Sequence, residues 1–238
     1  MIMTELTLPM IGYMRSPYKE KFGIPRQPNL VQVESYIEML APYNDLLAFE
    51  GIEEFSHLWI IWQFHDNKNQ QDKEKFRPQV RPPRLGGNKK IGIFATRSMY
   101  RPAPIGLSVV KLKSVEKHGS TIRVYLEGSD LLDGTPILDI KPYIQYSDAV
   151  INAKSGYAQN EPTRKVVQWN EQAQLIKQKL LEAKKINPQY INELEQVLSL
   201  DPRPAYQHDE ARVYGMRFGA FNIQFNCHQD AIYIQNIE

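Results

Sequence analysis

The sequence predicts a mainly β protein whose N-terminal part, residues 1–147, is an antiparallel sandwich or closed barrel, with a linker at 148–165 and a small α+β domain at 166–238. Three observations carry this. Short apolar runs punctuated by Gly and Pro fill the first part. Residues 148–165 are polar and lack a periodic pattern. Sustained helical spacing of apolar residues begins only after Trp169.

Taken in order, residues 9–15 read as a short strand. The single helical candidate of this half, short and weakly patterned, is 33–40. Residues 55–64 (FSHLWIIWQF) are nearly all apolar and suit a strand buried on both faces. Residues 91–96 read as another strand. Residues 107–116 and 121–127 alternate and are joined by Lys117-His118-Gly119-Ser120, a hairpin signal. Residues 137–141 form a further strand after the Asp133-Gly134 turn. Beyond the linker, Leu175, Ile176, Leu180 and Leu181 place a helix over 169–184. Asn187-Pro188 is an N-cap followed by proline at the first helical position. Ile191, Leu194, Val197 and Leu198 share one face of that second helix, and residues 201–206 (DPRPAY) stop it. Residues 213–218, 221–227 and 232–237 read as three strands.

Composition narrows the function classes. A hydrophobic fraction of 42% supports a packed core. The net charge of +2 does not by itself argue for nucleic acid, so distribution matters more than the sum. The single cysteine, Cys227, excludes an intrachain disulfide and disfavours a thiolate-built zinc site. No apolar run reaches the roughly 18 residues of a membrane span, and the N-terminus lacks the pattern of a signal peptide. A cytoplasmic protein is expected. The chain has no G-x-G-x-x-G and no G-x-x-x-x-G-K-[ST].

The chemistry concentrates between residues 97 and 143, where two turn-rich signatures, RSMYRPAPIGLS and SDLLDGTPILDIKPY, flank ordinary strand sequence. Just before them, residues 77–90 carry Arg77, Arg81, Arg84, Lys89 and Lys90 and no acid. Three prolines stiffen this loop, and like charges at that density repel without an anionic partner. Phosphate or RNA is the predicted partner, and a solvated loop the bland alternative. Arg97 and Arg101 extend the basic set, and Tyr100 adds a stacking surface. Asp130 and Asp133 either bind ligand hydroxyls or amines, or simply organise turns. Asp139 lies within a strand; if its face is buried it needs a partner, and Lys141 is two residues on. His65-Asp66 either hydrogen-bonds at a strand end or belongs to a metal site, which needs further ligands elsewhere. Arg26, Gln27 and Pro28 alone read as a surface loop.

The stretches RSPYKEKFGIPRQP, FSHLWIIWQFH, RPPRLGGNKKIGIFATRS, RPAPIG, DLLDGTPILDIKPY and DPRPAY occur in one order from Arg15 to Tyr206. Together they resemble the TrmO (YaeB/TsaA-like) family, S-adenosylmethionine-dependent tRNA methyltransferases built on a β-barrel. One departure is Ala103, where relatives commonly read RPNPIG. The resemblance implies a homodimer that methylates the exocyclic nitrogen of threonylcarbamoyl-adenosine beside the anticodon of threonine tRNA. It implies cofactor contacts at Arg26, Gln27, Pro28, His65, Asp66, Arg97, Leu107, Asp130, Leu131, Leu132 and Asp133. DPRPAY, with Arg203, looks like the segment that seats tRNA. The nitrogen attacked is poorly nucleophilic, so a proton acceptor is expected, and Asp133, Asp139, His65 and Tyr143 are the candidates. Two other readings compete: a non-catalytic RNA-binding module, and a metal hydrolase built on His65-Asp66.

Overall fold

The computed structural model describes residues 6–66, 76–204, 207 and 209–238. Strands β1 (Gly12–Arg15), β2 (Glu34–Met39) and β3 (His57–Gln63) precede a two-stranded ribbon, β4 (Gln79–Val80) and β5 (Ile91–Gly92). Strands β6 (Ile105–His118), β7 (Thr121–Glu127) and β8 (Pro136–Pro142) follow. A single helical turn, α1 (Gln145–Asp148), leads on to β9 (Val166–Trp169), α2 (Glu171–Glu182), α3 (Pro188–Ser199), β10 (Tyr214–Phe218), β11 (Phe221–Cys227) and β12 (Ala231–Ile237).

Six strands close into a barrel in the order β1-β2-β7-β6-β3-β8. Closure depends on β6, the 14-residue strand. Residues 105–111 of β6 pair with β3, and residues 111–118 pair with β7. A register shift between Leu112 and Ser114 lies just past that hand-over. Such irregularities bend a strand and raise its twist, which lets one strand serve two walls of the barrel. The interior is filled by every second residue: Met14, Ile37, Met39, Leu58, Ile60, Val110, Ile122, Val124, Leu126 and Ile137.

Several elements differ from the sequence expectation. Residues 33–40 are not helical; β2 spans most of them. Val33, Ile37 and Leu40 fall at helical spacing in the sequence, but Val33, Ser35, Ile37 and Met39 alternate inward. The buried Ser35 masks that alternation when only apolar residues are counted. β3 is buried on one face rather than two. Its outward Trp59 is roofed instead by Tyr143, 5.9 Å away between ring centres, and its indole donates to Asp148 Oδ2 at 2.8 Å. Residues 91–96 hold only two strand residues, then a 3-10 turn at Ile93–Ala95. The helix expected from residue 169 begins at Glu171, because Asn170 caps it and Val166–Trp169 is a strand parallel to β12.

The remaining strands form a sheet ordered β10-β11-β12-β9, against which α2 and α3 pack. Its core is not confined to the C-terminal stretch. Tyr18, Val31 and Val33, with Phe22 and Ile24, come from the segment between β1 and β2. Side chains from the C-terminal part also satisfy the backbone of that segment and of the first residue of β2. Gln196 Oε1 accepts from Gln32 N at 2.8 Å, Glu193 Oε1 accepts from Glu34 N at 3.0 Å, and Arg164 donates to Leu30 O. Among the described residues no helix is long and apolar enough to cross a membrane.

Burial pushes the Glu193 carboxyl up, with Glu34 and Glu127 adding repulsion. A carboxyl raised by folding favours its protonated form in the native state, so wild-type stability falls as pH climbs from the unfolded value through the folded one. Both hydrogen bonds to Glu193 fall on one oxygen, which glutamine retains. Glu193→Gln is expected to raise Tm by about 2 °C at pH 8, on the order of 0.5–1 kcal/mol, and by progressively less toward pH 5; thermal melts across that range check it.

Candidate functional site

The turn that follows β7, residues 130–135, is where the candidate site residues gather. Leu131 plugs it into the barrel core and is 1% exposed. Truncating such a residue costs about 2–5 kcal/mol. Gly134, at φ 78°, lets the chain reverse and brings its N–H to Met14 O at 2.8 Å. Asp133 clamps the turn to the segment after β1. Its Oδ1 accepts from Ser16 N at 3.0 Å, its Oδ2 pairs with Lys19 Nζ at 2.9 Å, and its N–H donates to Tyr18 O. Ser16 Oγ donates to Leu131 O at 2.9 Å.

At one side of this turn lie Asp130, Arg97 and Gln27. The Asp130 Oδ1 accepts from Ser108 Oγ at 2.7 Å. Burial pushes the Asp130 carboxyl up to about 6, against the opposing pull of the Ser108 hydroxyl and the Arg97 charge. Arg97 Nη1 donates to Gln27 Oε1 at 2.5 Å. Gln27 is flanked by exposed Arg26, whose Nη2 lies 3.5 Å from Arg203 O, and by half-buried Pro28. Leu107 neighbours Ser108 on β6 but points outward, 51% exposed.

At the other side is His65. Its Nδ1 lies 3.4 Å from Thr135 Oγ1, and the ring also bonds the backbone of Asp133. Burial lowers its pKa, reinforced by Lys21 and opposed by Asp66. The ring is therefore neutral at pH 7. Asp66, at φ 55°, pairs with Lys21 Nζ at 3.5 Å, and Lys21 also donates to its carbonyl. A lysine occupies the carboxylate that a metal would need. Among the described residues no group of three or more His, Cys, Asp or Glu is placed to hold a metal.

Other predicted site residues stand apart. Asp139 lies opposite Ile61 on the barrel exterior. It does pair with Lys141, at 2.9 Å, but its side chain is 45% exposed, so the face is solvated rather than buried. Tyr143 packs on His57 and Trp59, toward the start of β3. Trp59 and His65 are six residues apart on a nearly extended chain, roughly 20 Å, so Tyr143 and His65 do not share one site. Of the four base candidates, only His65 and Asp133 adjoin.

The basic loop caps the β4–β5 ribbon, with Arg81, Arg84, Lys89 and Lys90 exposed and Arg77 just before it. Arg84 also donates to Asn160 O. Arg101 Nη1 donates to Thr96 O at 2.9 Å and so organises its own turn. Arg203 departs from the RNA-contact expectation. It is 9% exposed, and its guanidinium is spent on Asp201 at 2.8 and 2.9 Å. Its neighbours Ala205 and Tyr206 in DPRPAY lie outside the described residues. Sequence reasoning missed Ser16, Lys19, Lys21, Ser108 and Thr135. These are common polar residues whose role appears only once the chain brings distant segments together.

Residues 13–149 match the tRNA-methyltransferase O N-terminal domain, and residues 162–238 match the TrmO C-terminal domain. An Escherichia coli (strain K12) protein named tRNA (adenine(37)-N6)-methyltransferase is 42% identical over 94% of each chain. A Pseudomonas aeruginosa protein named putative S-adenosylmethionine-dependent methyltransferase RcsF is 44% identical over 91% of this chain and 90% of its own. A crystal structure of TrmO from P. aeruginosa superposes with a TM-score of 0.79 at 35% identity, covering 100% of this chain and 98% of its own. With two family models along its length and relatives aligned over nine-tenths of it, this chain belongs to the TrmO family.

Proposed function

We propose that this protein methylates N6 of adenosine 37 in tRNA, with threonylcarbamoyl-adenosine of threonine tRNA as its substrate. S-adenosylmethionine is the methyl donor. The observation that supports this best is family membership along both parts of the chain, joined to the gathering of Gln27, Arg97 and Asp130 at one turn. That donor set fits the cofactor: a guanidinium suits its carboxylate, and a desolvated aspartate suits its cationic centre or ribose hydroxyls. When bound, the cofactor supplies an electrophilic methyl on a sulfonium, so the protein's part is mainly positioning.

The residues around the turn provide for the rest. The substrate nitrogen becomes a better nucleophile as its proton leaves. His65 is neutral at pH 7 and sits beside the turn, so it accepts that proton. Asp133 is less available, because its oxygens already serve Ser16 and Lys19. Arg77, Arg81, Arg84, Lys89, Lys90 and Arg101 form the basic surface for the anticodon arm. The exposed Ile105 and Leu107, both outward on β6, offer apolar surface to a second subunit, which would place the cofactor near a homodimer interface. A cytoplasmic location goes with this reading.

Calorimetric titration of the metal-free protein with S-adenosylmethionine tests the cofactor; saturable binding at a defined stoichiometry per subunit is expected. His65→Ala should lower turnover at saturating cofactor and tRNA by about 10²–10⁴-fold. Because folding lowers the His65 pKa, wild-type turnover should rise with pH only below about 6.5 and then level off. If alanine variants of His65, Asp133, Asp139 and Tyr143 all keep wild-type turnover, the general-base role fails. Neutralising Arg81, Arg84, Lys89 and Lys90 together should weaken tRNA binding and flatten its salt dependence, by roughly 0.7–0.9 in log–log slope for each phosphate left without its cation. Unchanged binding would remove the loop from the interface.

A further inference from the structure

Gly106 stands opposite Trp62 in the β3–β6 ladder. A Cβ at position 106 would fall 2.2 Å from the Trp62 indole, so only glycine lets the ring lie flat across β6. Phe64 packs edge-on against the indole, 4.3 Å away between ring centres. Thus seated, the indole N–H reaches Ser108 Oγ at 3.1 Å, and Ser108 Oγ reaches Asp130 Oδ1 at 2.7 Å. Trp62 is 8% exposed and Ser108 is 1% exposed.

The direction of this chain follows from donor chemistry. An indole N–H only donates, so the Ser108 oxygen accepts there. Its single proton is left for the carboxylate. Among the described residues no other side chain hydrogen-bonds Asp130.

We propose that Trp62 and Ser108, seated by Gly106, are positioning residues that tie one oxygen of Asp130 to the barrel wall and present the carboxylate to the cofactor. The inference rests on the cofactor reading above. The three act by fixing the rotamer of Asp130 and by favouring its charged form, since a hydrogen bond to a carboxylate stabilises the anion. The charged and titratable groups facing Asp130 are Arg97, from the stretch after β5, and Tyr18, from the segment between β1 and β2. A guanidinium is cationic across the neutral pH range. Burial holds the Tyr18 hydroxyl well above its ordinary range, so it stays neutral. Asp130 is thus the group among these three that titrates near neutrality.

The test is the affinity for S-adenosylmethionine from pH 5.5 to 8.5, with thermal melts as a folding control. Wild type should bind more tightly as pH rises through the Asp130 midpoint. Ser108→Ala removes the bond that favours the anion, so its midpoint should move up by about one pH unit, with roughly threefold weaker binding near pH 6.5, approaching tenfold toward pH 5.5, and recovery toward pH 8.5. Trp62→Phe keeps an aromatic ring in the slot but removes the donor together with part of the indole, so a smaller shift in the same direction is expected, with the thermal melt reporting the lost packing. It carries the test if Ser108→Ala does not fold. Unshifted profiles in the folded variants would overturn the relay. Asp130→Asn separates the two readings. Weak, pH-independent binding supports Asp130 at the cofactor. Wild-type binding by this variant would instead remove Asp130 from the cofactor site, and the relay with it.

Discussion

The candidate site depends on how Asp133 holds a turn from late in the barrel against a segment from its beginning. Asp133 and Ser16 are 117 residues apart, and no local rule of turn formation joins them. Magnitudes show which contact matters. The Lys19–Asp133 ion pair has about a third of each side chain exposed and contributes about 0–1 kcal/mol. The backbone N–H of Ser16 on the same carboxylate contributes about 1.5–3 kcal/mol, and its loss would strand a buried donor. With this clamp and Leu131 in the core, Asp130 and His65 keep fixed places on either side of one turn.

The barrel provides the rigidity on which that arrangement rests. β6 joins β3 to β7, and its early residues face two ways. Leu107 points out and Ser108 points in, so neighbouring residues of one strand meet an exposed surface and an internal carboxylate. Strand alternation alone produces this division. It explains how a short sequence such as RPAPIGLS serves both a surface and the core.

The sequence made the strands of the barrel's second half legible, along with both C-terminal helices and the Asn187 cap, because each has a clear period or terminus signal. It was misread at β2, where a buried serine broke the apolar alternation, and at β3, where outward Trp59 is sheltered by residues far along the chain. Motif resemblance singled out the RQP, HD, Arg97 and DLLD positions, and the fold brings Gln27, His65, Arg97 and Asp130 around one turn. The resemblance did not reveal that Arg203 is already bound to Asp201, or that Asp139 and Tyr143 lie away from His65. Those facts are tertiary. Neither residue type nor spacing records which guanidinium finds a carboxylate first.

The segment between β1 and β2 has a consequence for how the molecule comes apart. Its ends are strands of the barrel, yet Tyr18, Val31 and Val33 fill the other core, and Tyr18 forms a β-bridge with Phe218. Neither core can melt without dragging water onto side chains that the other holds in place. Heat should therefore meet one cooperative unit, with a single calorimetric transition, where the covalent order of the chain alone suggests two.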